Sequence, residues 1–231
     1  MSKIAVVIGA GPGLGAAVVR RFAREGFGVG VVARKRETVE PIAQAVGGRA
    51  YAADATDAAQ VAKLFAQIRE ELGAPDVLIY NASAFKMGGI LEVSPGEFED
   101  CWKVGCHAAF LCAREVLPAM VERGAGTILL TGATAAVRGS ARFSCLAVGK
   151  FGLRALGQSI AREFGERGVH VAHVIVDGQI DSPRARAWAP QRPDRSFLAP
   201  DAIAETYWHL HMQHPTAWTQ ELDLRPAIER F

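Results

Sequence analysis

Cysteine is sparse in this chain. Cys101, Cys106, Cys112 and Cys145 are the four present in 231 residues, and they show neither CxxC spacing nor the density of a disulfide-stapled scaffold, so they read as reduced, mostly buried thiols. With His107 they lack the close ligand pairs of a zinc site, and His209, His211 and His214 offer one helical pair without a third ligand, so no metal is expected. Charge of one sign is lacking too. Lys and Arg number 26 against 24 Asp and Glu, a net charge of +2, which excludes nucleic-acid binding by bulk charge. Half of the residues are hydrophobic, which excludes a disordered chain. No uninterrupted apolar run reaches the roughly 18 residues of a membrane helix, because the run Ile4 to Ile8 is cut short by glycines at 9, 11, 13 and 15. A soluble, cytoplasmic protein with no membrane partner is expected. Tyrosine is the rarest aromatic, present only as Tyr51, Tyr80 and Tyr207.

No internal repeat, low-complexity tract or Gly/Ser linker divides the chain. What it holds is an alternation of short β-branched runs with longer helical patterns, which means a parallel sheet with helices on its faces. The strands read as Lys3–Ile8, Gly28–Ala33, Arg49–Ala53, Asp76–Tyr80, Gly126–Thr131, His170–Val176 and Glu221–Leu224, mostly continuous apolar runs, as strands covered on both faces should be. Helices read as Gly13–Glu25; Ala58–Leu72 after an Asp57 cap with Gln60 as its box partner; a long one opened by Ser94-Pro95-Gly96-Glu97 and ending near Val121; Ser144–Arg167; and Asp201–His211. Between 181 and 200, four prolines, Arg184, Arg186, Arg192, Arg195 and Trp188 show little periodicity. A segment this long after a strand's carboxyl end is expected to be a mobile substrate lid, its arginines available to an anionic group. The whole chain, 1–231, reads as one domain.

The first strand runs into Gly9-Ala10-Gly11-Pro12-Gly13-Leu14-Gly15, which opens a helix. Glycines there permit a tight turn and close approach of backbone to a pyrophosphate, and the helix N-terminus offers free N–H groups and a positive dipole end. A bare GxGxxG is weak; one following a strand and starting a helix within a βαβ unit has the context dinucleotide binding requires. The end of the second strand bears on the choice of cofactor. An acid there holds the ribose hydroxyls of NAD, whereas this chain has Ala33-Arg34-Lys35-Arg36. Arg34 can fork onto a 2′-phosphate and Lys35 adds a point charge, so NADP(H) is preferred over NAD.

With these residues in place the chain resembles the short-chain dehydrogenase/reductase family over nearly its whole length. The family's TGxxxGxG is present as Ile8-Gly9 through Gly13 and Gly15; the acidic adenine contact after the third strand matches Asp54, followed by Ala55; NNAG matches Tyr80-Asn81-Ala82-Ser83; and PGxIxT matches Asp177-Gly178-Gln179-Ile180-Asp181-Ser182. The resemblance implies a Rossmann-type doubly wound α/β domain with a parallel seven-stranded sheet in the order 3-2-1-4-5-6-7. It places Gly9, Gly11, Pro12, Gly13, Leu14, Gly15, Asp54, Ala55, Asn81, Ala82 and Ser83 around the cofactor, with Gly178 in the motif after the sixth strand. Ile180 then faces the nicotinamide carboxamide and Ser182 the phosphates. The long helices Pro95–Val121 and Ser144–Arg167 resemble those through which the family forms dimers and tetramers.

The family's catalytic positions depart from its pattern. Lys150 is retained, but its tyrosine position, four residues earlier, is Leu146; the serine position is Ala133; and VNxxG matched to Val104-Gly105-Cys106-His107-Ala108 puts Gly105 at the asparagine. No tyrosine lies near enough for a register slip to restore the acid, and the longer enoyl-reductase spacing would reach Phe143. In the family the lysine lowers the tyrosine's pKa and hydrogen-bonds the nicotinamide ribose; only the second task remains. General acid catalysis is worth on the order of 10² to 10⁴ in rate, so ordinary ketone reduction is disabled while hydride transfer is not forbidden. Thr134, Ser144, Cys145 and Lys150, directly or through water, are the alternative proton donors. Two functions stay open: an NADP(H)-dependent oxidoreductase acting on a small carbonyl, imine or enoyl substrate, and a catalytically inactive NADP(H)-binding sensor or structural subunit.

Overall fold

The β-branched runs Ile4–Ile8 (β1), Gly28–Ala33 (β2), Arg49–Ala52 (β3), Val77–Tyr80 (β4), Gly126–Thr131 (β5) and Val169–Val176 (β6) alternate with helices Leu14–Arg24 (α1), Arg36–Gln44 (α2), Ala58–Glu71 (α3), Pro95–Trp102 (α4), Ala108–Arg123 (α5) and Ser144–Phe164 (α6). Beyond them lie a two-residue strand Gln179–Ile180 (β7), helix Pro183–Trp188 (α7), strand Phe197–Leu198 (β8), helix Pro200–His211 (α8) and strand Glu221–Leu224 (β9). This is a computed structural model, and it describes residues 2–228. Seven strands make one parallel sheet in the order β3-β2-β1-β4-β5-β6-β9, the order expected from the sequence, while β7 and β8 pair separately.

Side chains alternate across the strands into two cores. Val6, Ile8, Leu78, Tyr80, Ile128 and Leu130 pack on α3, α5 and α6. Val7, Val31, Ile79, Leu129 and Val174 pack on α1, α2 and α8. Asp57 caps α3 as expected, accepting from the N–H groups of Ala59 and Gln60, but Gln60 Oε1 accepts from the N–H of Asp54 and its Nε2 donates to the Asp57 carboxylate, so no box closes. Ser94 and Glu97 form the full capping box of α4.

Three elements differ from the sequence pattern. Helix α2 is unmarked in it, because its nine residues contain Pro41 and bury only Val39 and Ala43. The long helix after Ser94 is split into α4 and α5 by a π-turn over Lys103–His107, where the Ala108 N–H bonds the Lys103 carbonyl. That helical run, 95–123, is long and apolar enough on length and composition to cross a membrane; its apolar side is packed on the sheet through Ala109, Cys112, Val116 and Met120. Third, the segment 181–200 is structured. It carries α7 and β8, the latter paired with β7 just ahead of the segment, and Arg186 binds Asp181 at 2.6 and 2.9 Å and Asp194 at 2.5 Å. Arg186 is therefore committed to the segment's own acids and not offered to an anion.

Candidate functional site

The carboxyl ends of β1 to β4 form one half of the site. Gly9 ends β1 at φ +80°, and its N–H and that of Ala10 both donate to the Val32 carbonyl at 2.9 Å. A Cβ on Gly9 would stand 2.4 Å from the Ala82 nitrogen, and one on Gly15 would stand 2.6 Å from the Ala10 Cα. Only glycine fits either place. Gly11 and Gly13 face open space, and Gly13 caps α1 without a side-chain bond, so the first N–H groups of α1 are left for an anion. Pro12 is exposed, whereas the Leu14 side chain is buried in the core and only its main chain can contribute. Asn81 is a brace: its Nδ2 donates to the Gly9 carbonyl at 3.0 Å and its N–H to Ile8 at 2.9 Å.

From that loop a cleft of about 570 Å³ opens, with Arg34 on the β2 side, Asp54, Ala55 and Thr56 on the β3 side, and Asn81, Ala82 and Ser83 beyond β4. Asp54 is fixed by accepting from the Thr56 N–H at 2.9 Å and its hydroxyl at 2.7 Å. Arg34 is exposed at the rim, and β2 ends on Ala33 with no carboxylate to contest an anion. Lys35, next to it, stands at the N-cap position of α2 with an exposed side chain that makes no cap bond. The residues present fit a dinucleotide: a glycine cradle that a Cβ would fill, open helix N–H groups and a cleft ending in one acid and one arginine.

The second half lies at the ends of β5 and β6 and the start of α6. Lys150 is buried, its Nζ donating to the Thr131 carbonyl at 2.6 Å, and burial pushes its pKa down to about 8. Leu146, one turn earlier, shares its helix face and is half-buried. Ala133 is extended just beyond β5. Thr134 donates to the carboxylate of Asp177, which also pairs with Arg225 at 3.5 Å, so the Thr134 proton is committed to the end of β6. The Ser144 hydroxyl is buried without a protein partner among the described residues, and Cys145 is buried. Tyr207 lies on the opposite face of the sheet, buried, with its hydroxyl 2.9 Å from that of Thr131; burial pushes its pKa up.

Gly105 is closed by packing. A Cβ there would stand 2.8 Å from the Cα of Gly149 on α6, and a Cβ on Gly149 would stand 3.1 Å from the Cys101 carbonyl. The helices touch backbone to backbone, leaving no room for a longer side chain. The π-turn survives without it, because Tyr80 donates its hydroxyl to the Val104 carbonyl at 2.6 Å. Above this half, Phe85 and Phe143 pack with ring centres 5.5 Å apart, and Arg142 forks onto Glu92 at 2.9 and 2.7 Å, tying the loop after β4 to the start of α6. Gly178 has φ +151° and Ile180 lies in β7. Ser182, expected at the phosphates, caps α7 by accepting from the Ala185 N–H at 3.1 Å.

Sequence reasoning missed the roles of Asp177, Glu92 and Arg142, and the partly buried pair Arg154–Glu221 beside the buried His173. Each contact joins elements far apart in the chain, and no local spacing marks it. The Gly105–Gly149 pair had only the glycines themselves as a signal.

A parallel sheet with a glycine-lined first turn and a cleft over its carboxyl edge defines a dinucleotide-binding α/β protein. Residues 3–193 match the family model described as short chain dehydrogenase. Sorbitol-6-phosphate 2-dehydrogenase of Escherichia coli K12 is 30% identical over 215 residues, covering 90% of this chain and 83% of that protein. The structure of a short-chain dehydrogenase from Rhodopseudomonas palustris shares 36% identity and a TM-score of 0.82 over 97% of this chain and 98% of that one. A metagenomic short-chain oxidoreductase in complex with NADP shares 26% identity and a TM-score of 0.85 over 98% of both chains. The chain belongs to the short-chain dehydrogenase/reductase family of oxidoreductases.

Proposed function

We propose that this chain is an NADP(H)-dependent oxidoreductase acting on a small carbonyl, imine or enoyl substrate, with Lys150 in place of a tyrosine as the proton-handling group. One observation carries the reading: the only retained family acid–base residue is a buried amine bonded to the Thr131 carbonyl, its pKa pushed down to about 8 by burial, one helical turn from an apolar Leu146. Bound NADPH supplies a hydride. The glycine loop and the N-terminus of α1 hold the phosphates, Arg34 grips the 2′-phosphate and Asp54 faces the adenine. Lys150, ammonium at pH 7, has a proton to give in a water-poor site, where a group with pKa near the working pH is an effective acid. Thr134 is the poorer donor, since its proton already bonds Asp177. The segment 181–200 acts as a lid carrying Trp188, which is largely exposed. Trp102, Phe110, Val148 and Phe151, exposed along the helices 95–123 and α6, form the face for a homodimer or homotetramer.

A second reading, an NADP(H)-binding sensor or structural subunit without turnover, is favoured by the apolar Ala133 and Leu146 and by the closure of Gly105. NADPH and NADH titration followed by fluorescence, then a substrate panel, separates the two. Arg34→Ala is expected to weaken NADPH binding about 10- to 100-fold, the worth of a charge-assisted fork, with NADH little changed. Tight NADPH binding with no oxidation on any substrate supports the sensor; failure to bind either nucleotide defeats both.

A further inference from the structure

Exposed apolar side chains are concentrated in this protein. Trp102, Phe110, Val148 and Phe151 lie on the helix face proposed for self-association. Phe85, Met87, Ile90, Leu91, Val137 and Trp188 lie instead on the segments that leave the carboxyl ends of β4, β5 and β6. Because the sheet is parallel and its order runs β4-β5-β6, those three segments emerge side by side on one edge. Neighbouring strands stand about 4.8 Å apart, so the loop after β4 and the lid after β6 flank a gap of roughly 10 Å across the end of β5. That end carries Thr131, whose carbonyl receives the Lys150 amine. Phe85 lines the dinucleotide cleft and packs on Phe143, three residues before Leu146. On the other side of the gap Trp188 is 69% exposed on α7.

The polar side chains nearest that gap are engaged within the protein. Thr134 donates to Asp177, Asp177 pairs with Arg225 at 3.5 Å, Arg142 forks onto Glu92, and Arg186 binds Asp181 and Asp194. The Ser144 hydroxyl has no partner among the described residues, but it is buried. A substrate rich in hydroxyls would have to take partners away from these groups, leaving a charge or a hydroxyl unpaired. An apolar body meets the opposite situation, since the rings and alkyl groups at the edge stand in water and covering them is favourable in proportion to the area removed from it. Apolar side chains gathered and exposed in this way mark a binding surface. Leu146, half-buried one turn before Lys150, and Ala133, just beyond β5, continue the apolar character toward the amine.

We infer that the substrate of this site carries a single polar function on an extended apolar body, held by Phe85, Val137, Leu146 and Trp188, and is neither a polyol nor a phosphorylated sugar. This rests on the oxidoreductase reading above and narrows it to apolar carbonyl, imine or enoyl compounds. The polar function is directed to Lys150 at the end of β5, and the body fills the gap between the loop after β4 and α7. The rival determinants are Arg184 and Arg195, exposed on the lid, which would instead select an anionic substrate.

The test reads binding without turnover. Primary alkyl amides carry one carbonyl on an alkyl chain and are not reduced by NADPH, so butanamide, hexanamide and octanamide are titrated into the chain by calorimetry, with and without saturating NADPH, beside glycerol 3-phosphate. Each two-carbon step is expected to tighten binding about 10-fold, the worth of two buried methylenes, and glycerol 3-phosphate is expected to bind more weakly than octanamide. Phe85→Ser and Trp188→Ser, both at exposed positions and so compatible with folding, are each expected to cut the step to about 3-fold. Equal affinity across the series, no binding of any amide, or a step unchanged in both variants overturns the inference. So does tighter binding of glycerol 3-phosphate than of octanamide, which would hand specificity to Arg184 and Arg195. If NADPH itself does not bind, the oxidoreductase reading falls, and the amide series on the nucleotide-free chain still decides the apolar one, because Phe85, Val137, Leu146 and Trp188 are placed by the fold.

Discussion

The two halves of the site are built in contrasting ways. Around the glycine loop, polar atoms are braced by main chain and held open: Asn81 supports Gly9, Asp54 is fixed by Thr56, and Gly11 and Gly13 face free space. Around Lys150 the corresponding space is apolar or closed, with Leu146 on the helix face, Ala133 beyond β5 and Gly105 pressed onto Gly149. The first half can keep its form with few side chains, because backbone N–H groups bind phosphate. The second depends on particular hydroxyls and amides, so substitution there changes the chemistry while leaving the helices packed. A binding site made of backbone and a proton site made of side chains respond differently to the same amount of sequence change.

The contrast is broken most directly by refilling the proton half. Ala133→Ser with Leu146→Tyr is expected to raise NADPH-dependent reduction of simple ketones by about 10²-fold or more, the usual worth of a placed general acid, measured as initial rates. No change would show that these positions do not face the substrate. The asparagine position stays closed by Gly149, so the rescue is partial.

Next in size is a stability test of Lys150. Its pKa is pushed from 10.5 to about 8, so between these values the unfolded chain binds the proton more tightly than the folded one. Stability therefore rises as pH climbs from about 8 toward 10.5 and is flat below 8. Lys150→Met should stabilise the protein by about 3 kcal/mol at pH 7, an advantage that shrinks toward pH 10; urea unfolding at both pH values checks it. An advantage unaltered by pH would place the effect in packing instead of charge.

Smaller in stability but decisive for the cofactor half is Gly9→Ala. The φ of +80° alone should cost about 1–2 kcal/mol, with more from the contact to Ala82. Thermal unfolding and NADPH titration should fall together. Retained affinity would show that the loop can shift without losing its ligand, weakening the contrast between braced and emptied halves.

Most of the braced half was legible in the sequence, because its signals are local. Gly9 through Gly15 stand between a strand and a helix, and Arg34 and Asp54 stand just beyond strand ends, so counting along the chain finds them. Ser182 shows the limit of counting: it occupies its expected position, yet its side chain caps a helix. Helix α2 was hidden by Pro41 and a short apolar pattern. The segment after β6 looked structureless because a two-residue strand and a six-residue helix are too short to show a period. In the proton half, the departures at Leu146, Ala133 and Gly105 could be counted, but not what replaces them. The carboxylate on Thr134, the Arg154–Glu221 ion pair and the glycine contact that closes Gly105 join residues 43, 67 and 44 positions apart.

By itself the sequence determined the order of the elements, the parallel sheet, the phosphate loop and the apolar Leu146 one turn before Lys150, since strand and helix periods and cap residues are properties of neighbours along the chain. Only the tertiary structure decided which polar groups are committed. It tied the exposed Arg186 to Asp181 and Asp194, fixed Thr134 on Asp177, and buried Lys150 with its amine on the Thr131 carbonyl. The reason is physical: burial and hydrogen-bond partners depend on which strands and helices face one another, and those contacts set the charge and reach of a side chain.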